Sequence, residues 1–195
     1  MPRALTEQEK CRLFKRLLEK GKDVVLTQGI KKVSVDDITK AANMAKGSFY
    51  QHFESKEKYM LALIMEIYQQ IFALAEEKLL KEGDLKENVR NFLMNLFHFP
   101  EMVFLTKNYN EINELVENLS KHDIQSAEEM EADMYSKLLV VCGIDINRVK
   151  PGVVHNYVHS LYMIMGSDLM MKDDLPKTCE LMIESLISYI FGGAE

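Results

Sequence analysis

Apolar residues recur along this chain at spacings of three and four, and nowhere in sustained alternation, so the pattern predicts helices throughout. Between Thr6 and Gln28 the residues Phe14, Leu17, Leu18, Gly21 and Val25 make one stripe, basic residues decorate the other faces, and Gly29 ends the run. A long helix over Lys56–Lys81 carries two stripes. Met60, Leu63, Ile64, Ile67, Ile71 and Leu74 form one, and Leu61, Met65, Tyr68 and Phe72 the other, so it is buried on two sides. After Gly83, Asp84 caps a helix that buries Val89, Phe92, Leu93, Leu96 and Phe97, and Pro100 stops it. A short helix follows from Glu101 to Lys107. Ile112, Leu115, Val116 and Leu119 continue the period, Ser120 to Asp123 is polar, and Ser126 with Glu129 has capping-box spacing ahead of a stripe of Met130, Met134, Leu138 and Val141. One long bent helix and two separate helices both fit this stretch. Pro151 starts a helix running to about Met170, and Asp174 caps the last one, which ends at Gly192-Gly193.

The densest local signals lie between Val33 and Lys58. Ser34 stands at an N-cap position, and Asp37 can reach back to it as in a capping box. Val35, Ile38, Ala41 and Ala42 form the stripe of a short helix that closes near Asn43, a residue that tolerates the left-handed conformation. Lys46–His52 forms a second short helix whose Phe49, with Phe53, faces inward, and Ser55 caps the long helix. Helix, turn, helix is the geometry that sets a second helix into the DNA major groove. On that reading Lys46 and Lys56 meet phosphates, Gly47 lets the backbone approach the sugar-phosphate chain, and Tyr50 and His52 donate to phosphate oxygens. Ser34 belongs to the same surface, while Ser48 and Gln51 read base edges. From residue chemistry alone, a charged surface hairpin that touches nothing fits equally well.

The run KGSFYQHFESKEKYMLAL resembles the DNA-binding signature of TetR-type (tetracycline-repressor-like) regulators. The resemblance covers roughly Leu13 to Leu63 and includes Gly29, VSVDDIT, Ala42, Lys46-Gly47, Phe49-Tyr50, His52-Phe53 and Ser55-Lys56-Glu57. Asn43 stands where that family has Gly. Ala45 stands where it has a capping Ser or Thr, at a cost of about 1 kcal/mol in local helix stability. The resemblance implies an all-α protein: a three-helix helix-turn-helix head over residues 1–55, and a larger helical ligand-binding and dimerisation body over 56–195. Helix 56–81 connects them, in about nine helices altogether.

Charge fits this division. Met1–Lys58 carries 13 Lys/Arg against 8 Asp/Glu, while the remainder carries 11 against 22. A basic head on an acidic body suits a sequence-specific reader better than a nucleic-acid coating protein. The expectation is cytoplasmic: no apolar run reaches 18 residues and the N-terminal stretch is charged throughout, unlike a membrane span or signal peptide. Cys11, Cys142 and Cys179 are scattered and read as reduced thiols. The Gly-rich phosphate loop, GxSxG and HExxH are missing, and acidic runs such as Glu128 to Glu131 read as solvated helix surface, so neither an enzyme nor a cofactor is expected. His155 and His159 have metal-ligand spacing on one helix face. Without a third ligand they read as a surface or interface pair, and no metal is expected.

The last two helices are apolar on more than one face, so a second copy is expected against them. Val158, Leu161, Met165, Met182, Leu186 and Ile190 are the candidate interface. A dimer sets two recognition helices about one DNA turn (~34 Å) apart and so reads a palindrome. The body is rich in Met and aromatic residues. Met65, Phe72, Phe92, Phe104, Tyr109, Met134 and Tyr162 are the candidate lining of a small-molecule pocket, with ordinary core packing as the competing reading for each. The function expected is a regulator that binds a palindromic operator in double-stranded DNA as a homodimer, most simply a repressor, and is released by a small hydrophobic effector. A ligand-independent or activating regulator stays open, as does a helical protein-interaction adaptor.

Overall fold

The structure, a computed structural model, describes residues 6–192. Among them are ten α-helices and one 3₁₀ turn, with no strand, against about nine helices expected. The chain divides into two compact units.

The first unit holds the described residues up to Glu66 together with Glu111–Leu119. Capping boxes open its first two helices. Thr6 and Glu9 bond reciprocally at the start of α1 (Glu7–Gln28), as do Ser34 and Asp37 at the start of α2 (Val35–Ala41). Gly29 closes α1 with φ 86°, and Asn43 after α2 holds φ 53°, the left-handed conformation its side chain tolerates. Next comes α3 (Lys46–Tyr50), with Ala45 at its N-cap and no side-chain cap. It is held by rings instead. Phe49 lies 5.4 Å from both Phe53 and Tyr59, and Phe53 lies 5.1 Å from Phe14 on α1. Tyr59 belongs to α4 (Lys56–Leu79), so three helices share one aromatic cluster. The Tyr59 hydroxyl donates to the Leu17 carbonyl at 3.1 Å, directly over Gly21, where any β-carbon would overlap it.

The chain returns to this unit with α7 (Tyr109–Glu117). The Lys31 amide donates to the Glu111 carboxylate at 3.0 Å, and the Lys31 ammonium pairs with Glu114 at 2.7 Å. Residues 1–55 alone do not include these partners. The division between units falls inside α4, the helix expected to connect head and body.

The second unit contains the rest of α4, α5 (Leu85–Asn95), the 3₁₀ turn Leu96–His98, α6 (Pro100–Lys107), α8 (Lys121–Val141), α9 (Pro151–Gly166) and α10 (Leu175–Phe191). Asp84 caps α5, and Pro100 occupies the first turn of α6, where its missing amide has no intrahelical role. The stretch that sequence left ambiguous is two helices. Ser120 caps α8 by accepting from the Asp123 amide, so the start considered at Ser126 lies inside that helix. Between α5 and α10, Arg90 donates both to Glu184 (2.7 and 3.0 Å) and to Glu87 (2.7 Å). The Arg148 guanidinium donates to the carbonyls of Tyr189, Ile190 and Gly192, satisfying the open end of α10. Gly193 lies outside the described residues.

Of the interface residues expected on α9 and α10, three lie in the single chain's own core. Leu161 and Leu186 are fully buried within the single chain and Ile190 nearly so, because both helices turn these residues into the body's own core. Val158 is half-buried and also faces inward. Met165 and Met182 keep partial exposure, while the apolar residues left open on these helices are Val153, Met163 and Leu181.

Candidate functional site

On the head, α3 buries Phe49 and leaves Lys46, Gly47, Tyr50 and the following Gln51 exposed, with Ser48 half-buried at the edge. Five residues of helix suffice because the aromatic cluster beneath fixes its pitch. A β-carbon at Gly47 would meet nothing within 4 Å, so this stretch of backbone is open to close approach. The Lys46 ammonium pairs with Asp36 at 2.9 Å, and that bond strengthens its hold on the proton. Lys56, half-buried, donates to the Lys31 carbonyl at 3.2 Å. The Ser34 hydroxyl accepts from the Asp37 amide and donates to its carboxylate at 2.6 Å, so its first role is to cap α2. His52 stands apart from the other expected contacts. Its Nε2 is buried without a hydrogen-bond partner, and its ring centre lies 6.3 Å from that of Phe14. Burial, and secondarily Lys10, push its pKa down. Donation from that nitrogen to a phosphate requires the ring to turn.

The second unit encloses a cavity of about 110 Å³ between α4, α5, α8, α9 and α10. Of the expected lining residues, Phe72, Phe92 and Tyr162 belong to it. Met65, Phe104, Tyr109 and Met134 do not. Met65 and Phe104 are core residues, and Met65 belongs to the first unit. Tyr109 packs its ring edge-on to Tyr162 at 5.3 Å, with its Cβ so close to Gly166 that a β-carbon there would sit 2.6 Å away. Met134 is half-buried and outside the lining.

Most of the wall is apolar, but one region is not. Glu131, Tyr68, Tyr135 and His159 all line the cavity, and His155 stands beside them. His155 Nε2 lies 3.4 Å from Glu131 Oε1, and this bond raises the His155 pKa despite partial burial. Burial, followed by the neighbouring His155, lowers that of His159. Burial also drives both tyrosine hydroxyls far from ionisation, with Glu131 adding to the effect. Glu131 had read as solvated surface with Glu128. Glu128 is exposed, but the Glu131 side chain keeps only 17% exposure because it lies one turn before Tyr135 on the inward face of α8. The i, i+4 spacing of Glu131 and Tyr135 was the available signal.

The three thiols are free. Burial pushes the Cys142 and Cys179 pKa values up, the opposite of what a reactive thiolate needs. Among the described residues, no group of three or more His, Cys, Asp or Glu is placed to hold a metal, and no helix is long and apolar enough to cross a membrane.

Residues 17–63, the helices just described as the head, match the family model for bacterial regulatory proteins of the tetR family. The head thus carries the DNA-binding signature of the TetR family. The chain is similar to the HTH-type transcriptional repressor DhaR of Mycobacterium sp. (strain GP1), 46% identical over 55 residues, which is 28% of each chain. It is also similar to the transcriptional regulator AcuR of Cereibacter sphaeroides, 39% identical over 69 residues, which is 35% of this chain and 31% of that one. The match thus spans under a third of these relatives' length. The fold likeness runs further. A TetR-family transcriptional regulator from Pectobacterium atrosepticum superposes with a TM-score of 0.70 at 14% identity, over 98% of this chain and all of that one. The regulator FadR of Bacillus subtilis, solved in complex with stearoyl-CoA, does so with a TM-score of 0.53 at 16% identity, over 93% of this chain and all of that one.

Proposed function

We propose that this TetR-family protein is a dimeric, sequence-specific DNA-binding repressor, not an enzyme, that works in the cytoplasm and leaves its operator when a small, largely apolar molecule occupies the body. The observation that carries the reading is the pairing of two features in one chain: an open α3 face on a family-matched head, and an apolar cavity in the body. The cavity favours an effector-controlled regulator over a ligand-independent one, whose body would be expected to pack solid. FadR, a relative in fold, was solved with stearoyl-CoA, which supports effector binding by such bodies in general.

On this reading Lys46, Lys56 and Tyr50 hold phosphates, the exposed backbone at Gly47 lies against the sugar-phosphate chain, and Gln51 and Ser48 meet base edges. Two heads in a homodimer engage successive major grooves of a palindrome. The α4 helix carries Lys56 at one end and cavity residues Tyr68, Ile71 and Phe72 further along. A ligand that prefers one setting of that helix therefore shifts the population of head spacings, and DNA must weaken the ligand by the same factor.

Selection from random double-stranded DNA at about 0.15 M salt, near physiological screening, tests the DNA arm. An enriched palindrome with half-sites about one turn apart is expected. If protein unfolded, stripped and refolded enriches nothing, DNA recognition is abandoned in favour of a protein-interaction adaptor.

A further inference from the structure

We propose that the effector carries a positively charged amine on a compact apolar body, with the ammonium seated against Glu131. This rests on the effector reading above and narrows it.

Among the residues lining the cavity, Glu131 is the single carboxylate, and there is no Lys or Arg. A ligand carboxylate or phosphate would therefore enter beside another carboxylate with no Lys or Arg in the lining to receive it. The basic groups nearby are the two histidines. His155 is already engaged with Glu131 at 3.4 Å and is not part of the lining. His159 lines the cavity, but its surroundings disfavour its charged form. An ammonium has three donors. Glu131 offers it an acceptor, and the rings of Tyr68, Tyr135 and Phe72 in the same lining offer quadrupoles that favour a cation. The Tyr135 ring packs edge-on against both Phe72 (4.8 Å) and His155 (5.4 Å), so the aromatic wall is held in place without a ligand. Most of the rest of the lining, including Leu93, Leu139 and Val154, is apolar. A cavity of about 110 Å³ suits a group the size of one ring, since apolar cavities of comparable size take benzene.

Three probes of one skeleton separate the possibilities: 4-phenylbutylamine, 4-phenylbutanol and 4-phenylbutyrate, each titrated calorimetrically into the full chain near neutral pH. The amine is expected to bind roughly tenfold or more tighter than the alcohol, and the acid weakest of the three. Glu131→Gln keeps the shape and removes the charge. It should weaken the amine by roughly tenfold to a hundredfold and leave the alcohol within about twofold, abolishing the preference. Acid binding as tight as amine binding overturns the assignment, as does a Glu131→Gln protein that binds the amine unchanged. If that variant does not fold, the ranking of the three probes on the unaltered chain decides. Binding of the alcohol and acid without the amine defeats the ammonium alone. Binding of none of the three defeats the cavity as an effector site as well.

Discussion

The head depends on one close approach, and a double-mutant cycle can measure it. An alanine at Gly21 would set its β-carbon 1.8 Å from the Tyr59 hydroxyl and 3.0 Å from both Tyr59 Cζ and Ile38 Cγ2. Tyr59 and Ile38 are fully buried, so neither has room to withdraw. Overpacking of this kind costs about 1–3 kcal/mol. Displacing the hydroxyl also breaks its bond to the Leu17 carbonyl, for about 1 kcal/mol more. Against this stands the helix propensity of Ala over Gly, about 1 kcal/mol in favour. Gly21→Ala should therefore destabilise the first unit by about 1–3 kcal/mol. Tyr59→Phe alone removes the hydroxyl and its bond, for about 1 kcal/mol. In the Tyr59→Phe background the 1.8 Å overlap no longer exists, the remaining 3.0 Å contacts are offset by the helix propensity gained, and Gly21→Ala should be close to neutral. The coupling is thus about 2 kcal/mol, and its sign is that the second change rescues the first. Amide hydrogen exchange of peptides from α1 and α2 reads the opening free energy of this unit directly, whatever the rest of the chain does. Additive effects would refute the reasoning, because they would mean that the hydroxyl does not occupy the space over Gly21.

Further outcomes follow from the same geometry. Lys56→Ala should weaken binding to all DNA sequences alike and reduce the slope of log affinity against log salt by about 0.9. Gln51→Ala should instead change the preferred base in a selection, and unchanged preference would remove Gln51 from the base-reading set. Leu181, exposed on α10, is offered as part of the dimer face, so Leu181→Glu should shift sedimentation from dimer to monomer, whereas the buried Leu186 should affect stability instead. The Glu131 bond raises the His155 pKa above its ordinary 6.5. Its stabilisation is therefore complete below that value and is lost as pH rises through the folded pKa. In thermal melts, His155→Asn should lower the melting temperature at acidic pH and approach the unaltered protein at alkaline pH. A difference constant across the range would sink this assignment.

Much of the head was legible because its signals are local. A serine and an aspartate three apart close a capping box whatever else the chain does, and Ser34 and Asp37 do so at 3.2 Å and 2.9 Å. Asn43 in the left-handed region and Gly29 at the end of α1 are likewise properties of single residues. His52 is different in kind. Whether its ring faces out or packs on Phe14 is decided by α1, more than thirty positions away in sequence, and no spacing in and around α3 carries that information.

The body was read less well for a physical reason that α8 makes plain. Hydropathy weighted Met130, Met134, Leu138 and Val141 as the inward stripe. In the folded chain Met130 and Val141 are exposed, and the inward residues are Glu131, Tyr135, Leu138, Leu139 and Cys142. The true stripe is rotated by about one residue, or 100° of helix, from the apparent one. Most of α8 is exposed, so the hydrophobic effect constrains its phase weakly. Phase is set by the cavity, where a tyrosine and a glutamate outweigh two methionines. The residues that a hydropathy pattern scores as polar are then the ones that would give the cavity its chemistry. In α10 the opposite holds. It is apolar on nearly every side, so periodicity could not distinguish the side that meets the chain's own core, with Leu186 and Ile190, from the side that carries Leu181. Where a helix has too little apolar surface or too much, its orientation is a tertiary property, and both the proposed effector class and the proposed dimer face depend on that orientation.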